Sequence, residues 1–74
     1  MRKRQHPVFD VTLLSAREIE VLRQLSCGLT NREIATRLFI TEGTIKGHLH
    51  RIFRKLEVRN RTAAAAKARE LGVT

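Results

Sequence analysis

Apolar residues fall at helical spacing in four separate stretches of the chain, divided by short polar or turn-forming segments. In the first, Ser15 and Glu18 form a capping-box signature, and Ile19, Leu22 and Leu25 follow on one face before the stretch ends near Gly28. Thr30 and Glu33 repeat that signature, so Ile34, Ala35 and Leu38 predict a second helix of about two turns. The third opens at Thr41, with Glu42 complementing the helix dipole, and carries Ile45, Leu49, Ile52, Phe53 and Leu56 as one apolar stripe. Asn60 then caps a fourth helix running through the thin, alanine-rich TAAAAKAREL to Gly72. The pattern predicts an all-α fold of four helices.

Phe39, Ile40 and Thr41 leave too little chain between helices two and three for a wandering loop. Helix three must leave at a fixed, steep angle, which makes the pair a helix-turn-helix unit. At about 100° per residue, the side of helix three opposite its apolar stripe collects Gly43, Gly47, His50, Arg51 and Arg54, with Lys46 on the flank. A glycine inside a helix costs on the order of 1 kcal/mol relative to alanine, so Gly47 in particular demands a reason. A bare strip of backbone ringed by hydrogen-bond donors suits close approach of something large. A helix fits the major groove of double-stranded DNA, where Lys46 and His50 would meet base edges while the glycines let the backbone near the groove floor.

The charge agrees with that partner. Fifteen Lys and Arg oppose seven Asp and Glu across 74 residues, for a formal charge of +8. Six of the fifteen, Lys46, Arg51, Arg54, Lys55, Arg59 and Arg61, fall between positions 46 and 61, a clustering that a merely solvated surface would break up with acids. A chain this short makes one domain without a deep catalytic cavity, and it holds neither a phosphate loop nor a nucleophile beside a base, which argues against an enzyme. His48 and His50 diverge on a helix with no Cys or carboxylate to complete a ligand set, so no metal or other cofactor is expected; His48 should pack or pair locally. Cys27, the single cysteine, is expected as a small buried hydrophobe in a chain suited to a reducing compartment. No signal-peptide or membrane-spanning run is present, pointing to the cytoplasm. Residues 1–12, with Arg2, Lys3, Arg4 and Pro7, read as a flexible basic arm or linker remnant ahead of a domain at 13–74. The competing reading is a helical protein-interaction module with non-specific DNA affinity, engaging a partner such as RNA polymerase through helix four.

The motifs taken together also carry a resemblance. The ARE entry, GLTNREIA across helix two, TEGTIKGHL in helix three, and RKL followed by VRNRT make Leu13 to Gly72 resemble the LuxR-type DNA-binding domain at the C-terminus of many bacterial transcription regulators. That resemblance implies sequence-specific binding of double-stranded DNA in transcription regulation, as the effector domain of a larger regulator. It implies that Lys46, Gly47 and His50 approach bases, and that Thr30, Asn31, Thr41, Thr44, Arg51, Arg54 and Lys55 contact the DNA backbone. Helix four, through Ala65, Ala66 and Arg69, would supply a homodimer contact on DNA. Many relatives carry a side chain where Gly47 stands, so readout there would go through shape or water. The LFIT segment, with Phe39 in the turn, is expected to plug the joint between helices two and three with hydrophobic mass.

Overall fold

The computed structural model describes residues 13–73, so the expected arm at 1–12 lies outside the described residues. Four helices follow in chain order: α1 (Ala16–Ser26), α2 (Asn31–Leu38), α3 (Glu42–Leu56) and α4 (Arg61–Glu70). Among the described residues there is no strand, and no helix is long and apolar enough to cross a membrane.

Each helix starts where a local side chain satisfies its free N–H groups. The Ser15 hydroxyl accepts the Glu18 N–H at 3.1 Å, and the Glu18 carboxylate accepts the Ser15 N–H in return at 2.9 Å. Thr30 and Glu33 form the same reciprocal pair at 3.1 and 2.8 Å. Thr41 accepts from the Thr44 N–H, and Asn60 from the Ala63 N–H.

The ends follow one scheme with two chemistries. Backbone bonds from Leu29 to Gln24, Ile40 to Ala35, Val58 to Phe53 and Val73 to Ala68 close the four last turns, each requiring a residue with positive φ just before the donor. After α1 and α4 that residue is glycine, Gly28 and Gly72; after α2 and α3 it is Phe39 and Glu57.

Here two expectations are corrected. Phe39 does not plug the joint: it is 93% exposed, in the left-handed conformation with φ 59°. In that conformation the chain reverses and turns the side chain outward, while the neighbours Leu38 and Ile40 pack against the core. Cys27 is exposed rather than buried, because it caps α1 off the face that carries Val21, Leu22 and Leu25 inward.

The core is aliphatic. Val21, Leu22 and Leu25 of α1 meet Ile34 and Ala35 of α2, Ile45, Leu49, Ile52 and Leu56 of α3, and Ala64 and Ala68 of α4 in one cluster. The two alanines of α4 are fully buried. With no bulk at those positions, α4 settles closely against α1, its main packing partner.

Candidate nucleic-acid interface

Burial divides α3 as its periodicity requires. Ile45, Leu49, Ile52 and Leu56 are buried, Phe53 is half-buried, and Gly43, Lys46, His50, Arg51 and Arg54 are exposed. Gly47 lies among the latter, half-buried. A methyl group added at Gly47 would meet nothing nearer than Arg51 Nη1 at 3.9 Å, and one added at Gly43 would find Thr41 Oγ1 at 3.8 Å. Neither glycine has a positive φ. Nothing within the described fold therefore forbids a side chain at either position. Beside them, Lys46 and His50 make no ion pair or side-chain hydrogen bond among the described residues.

The flank of α3 that carries His48, Arg51 and Lys55 is organised differently, around an acid. Glu18 is 4% exposed, and its Oε1 accepts from Lys55 Nζ at 2.8 Å while Oε2 lies 3.6 Å from Arg51 Nε. Burial pushes the Glu18 carboxyl up, but the Lys55 ammonium, the Ser15 N–H and Arg51 outweigh it and hold the group below its ordinary range. Arg51 in turn lies against His48, with Nη2 2.9 Å from Nδ1. A guanidinium can only donate, so Nδ1 is the acceptor and the ring is the neutral tautomer protonated on Nε2. Burial, then Arg51 and Arg17, lower the His48 pKa against the opposing pull of Glu18. The expected local pairing of His48 is thus present.

Arg51, Arg54 and Lys55 together line a surface cavity of about 340 Å³. Arg54 makes no ion pair among the described residues, whereas Arg51 and Lys55 keep 56% and 38% of their side chains exposed while tied to Glu18. The wall is cationic and partly preordered.

At the helix N-termini, Thr30 and Thr41 accept capping bonds and still own a hydroxyl proton. Thr41 and Thr44 share one bond, Oγ1 to Oγ1 at 2.9 Å, which leaves one proton of the two free. Asn31 Oδ1 accepts from Arg61 Nη1 at 2.6 Å. On α4, Ala65 is half-buried against the core, while Ala66 is half-buried and Arg69 exposed.

Two residues escaped the sequence reading. Glu18 was legible as a cap but not as the anchor of Lys55 and Arg51, although its place at helical spacing with Val21, Leu22 and Leu25 puts an acid on the buried face, where a cation must answer it. Arg61 counted as one more basic residue; its partners are distant in sequence and left no local signal.

Comparison with known proteins gives these features a context. A family profile described as bacterial regulatory proteins, luxR family, matches residues 12–68. The transcriptional regulatory protein LnrK of Bacillus subtilis (strain 168) is 54% identical over 61 residues, which cover 82% of this chain and 28% of LnrK. The nitrate/nitrite response regulator protein homolog of Haemophilus influenzae is 45% identical over 62 residues, 84% of this chain and 30% of that protein. The crystal structure of the response regulator ChrA of a heme-sensing two-component system superposes with a TM-score of 0.77 at 47% identity, over 97% of this chain and 33% of that one. The chain spans no more than about a third of the length of these relatives.

Proposed function

The chain belongs to the LuxR family of bacterial regulatory proteins, and from that premise we propose that it binds double-stranded DNA sequence-specifically as the effector domain of a cytoplasmic transcription regulator, without catalysis. The observation that carries the proposal is the exposed strip of α3, where Gly43 and Gly47 leave room that the fold does not use and Lys46 and His50 stand beside it unpaired. A helix with that strip lies deep in the major groove. There Lys46 donates to purine acceptors, His50 reaches a neighbouring base edge, and Gly47 lets the backbone approach.

Around this contact, phosphates take the remaining groups. Thr30, Asn31, Thr41 and Thr44 sit at the N-termini of α2 and α3, where free N–H groups and the helix dipole favour anions. Arg51, Arg54 and Lys55 supply cationic heads from the cavity wall farther along α3. On α4, the side that carries half-buried Ala66 and exposed Arg69, with Ala65 at its margin, serves as the contact between two copies on DNA, and RNA polymerase is a further partner for a regulator so placed.

Selection from a randomised duplex library at near-physiological salt tests the reading. Enrichment of a two-fold-related motif supports it and yields the half-site spacing of the dimer. Recovery of unselected DNA, with binding that vanishes as salt rises, overturns it in favour of an interaction module that attracts DNA by charge alone.

A further inference from the structure

Arg61 opens α4 with a positive charge where a helix dipole disfavours one, and the first turn of α4 holds no acid to balance it. Its local environment therefore gives no reason for an arginine. The reason is tertiary: Nη1 donates to Asn31 Oδ1 and Nη2 to the Leu29 carbonyl, both at 2.6 Å, and the side chain is half-buried between them. One guanidinium thus grips the residues on either side of Thr30, the cap of α2.

We infer that Arg61 is a positioning residue for phosphate binding, acting through Asn31. The chemistry is directional. A guanidinium offers donors only, so the atom of the Asn31 amide that faces it must be the oxygen. The amide NH2 then points away from Arg61, with both protons committed to no partner among the described residues. At the first position of α2, those protons lie beside the free N–H groups of the helix N-terminus and add donors to an anion site. An asparagine with no such partner could present oxygen or nitrogen, and the oxygen would repel a phosphate. Arg61 removes the choice. Because Arg61 belongs to α4, the same bond fixes the start of the helix-turn-helix unit to the helix proposed as the dimer contact.

The inference rests on the DNA-binding reading of Asn31 and is separable from it by experiment. Binding of the full chain to a short duplex of random sequence is measured against salt concentration for the wild type, Arg61→Lys, Asn31→Ala and the double variant, with thermal melting to verify folding. The Arg61→Lys change keeps the charge, but an ammonium cannot grip two acceptors in a fixed fork. Each single change is expected to weaken binding by about three- to tenfold, and the double variant to bind no worse than the weaker single. Arg61→Lys should leave the salt slope unchanged. Losses that multiply in the double variant, or wild-type affinity in either single variant, overturn the inference while the wild type's own binding keeps the DNA reading standing. A wild type that binds no duplex overturns both. Should Arg61→Lys melt too low to assay, Asn31→Asp decides: it keeps the acceptor for Arg61 and removes the donors, so it must stay folded and bind more weakly than Asn31→Ala. Equal or tighter binding overturns the inference.

Discussion

The two flanks of α3 carry similar cationic and imidazole groups but hold them in opposite ways. Lys46 and His50 extend from a glycine-bared flank without partners among the described residues, whereas on the other flank Arg51 and Lys55 share one buried carboxylate on α1 and His48 pairs with Arg51. Tethered side chains have already lost rotamer freedom during folding, so a phosphate that meets them extracts less additional ordering. Free side chains bear that entropic cost on binding and can adapt to the surface they meet. On the proposed DNA-binding reading, the contrast gives discrimination to the Lys46 and His50 flank of α3 and preordered, sequence-independent attraction to the Arg51 and Lys55 flank. Arg54 is the exception, an untethered cation beside two tethered ones.

The largest expected effect comes from removing the tether. Glu18→Ala deletes a capping bond and leaves Lys55 and Arg51 without their acid, and should lower stability by about 2 to 3 kcal/mol in urea titration. If the variant is as stable as the wild type, the two flanks do not differ as described. Next, Lys46→Ala should cost about 1 to 3 kcal/mol of preference for a selected site over random DNA, with stability unchanged. Arg54→Ala should instead weaken binding to all duplexes and reduce the salt slope by about one. Equal effects of the two on specificity would erase the division of labour.

Gly47→Ala sharpens the comparison through opposite signs. The open space at this position means the methyl group is accommodated, so helix propensity should raise stability by up to about 1 kcal/mol, while affinity for a selected site falls. Affinity that rises with stability would show that the glycine is not there for DNA.

The smallest effect concerns pH. The folded His48 is held below its ordinary 6.5, so the unfolded chain binds the proton more readily, and stability is lost as pH falls from that value through the lower folded one. Between neutral and mildly acidic pH the melting midpoint should drop by about 1 to 3 °C, and His48→Gln, which keeps an acceptor for Arg51 without titrating, should flatten the drop. Glu18, also depressed in the fold, adds a loss of the same sign below its ordinary 4.5.

The legible parts of the molecule share a short range. Ser15 with Glu18 and Thr30 with Glu33 announce helix starts because each bond spans three residues, and the joint at 39–41 appears where expected because its length is written in the chain. The apolar stripe of α3 also reads directly, since one period governs both spacing and burial. Phe39 misled because its bulk suggests a plug, while the left-handed backbone that closes α2 turns it to solvent and gives that role to its neighbours. Cys27 misled because its residue type is often buried, while its place at a helix end is not.

From sequence alone came the all-α class, the order and limits of the helices, the helix-turn-helix joint, the clustering of charge on α3 and the family resemblance. These depend on hydrogen bonds and periodicities that span a few residues, where the chain cannot avoid its own neighbours. Tertiary structure decided which cations are free. Lys55 meets Glu18 across 37 positions and Arg61 meets Asn31 across 30, and nothing local distinguishes them from Lys46 or Arg54. Packing α1 and α4 around the helix-turn-helix pair brings those partners within bonding distance, because a buried or confined polar group in a dry interior must find a partner wherever the fold supplies one.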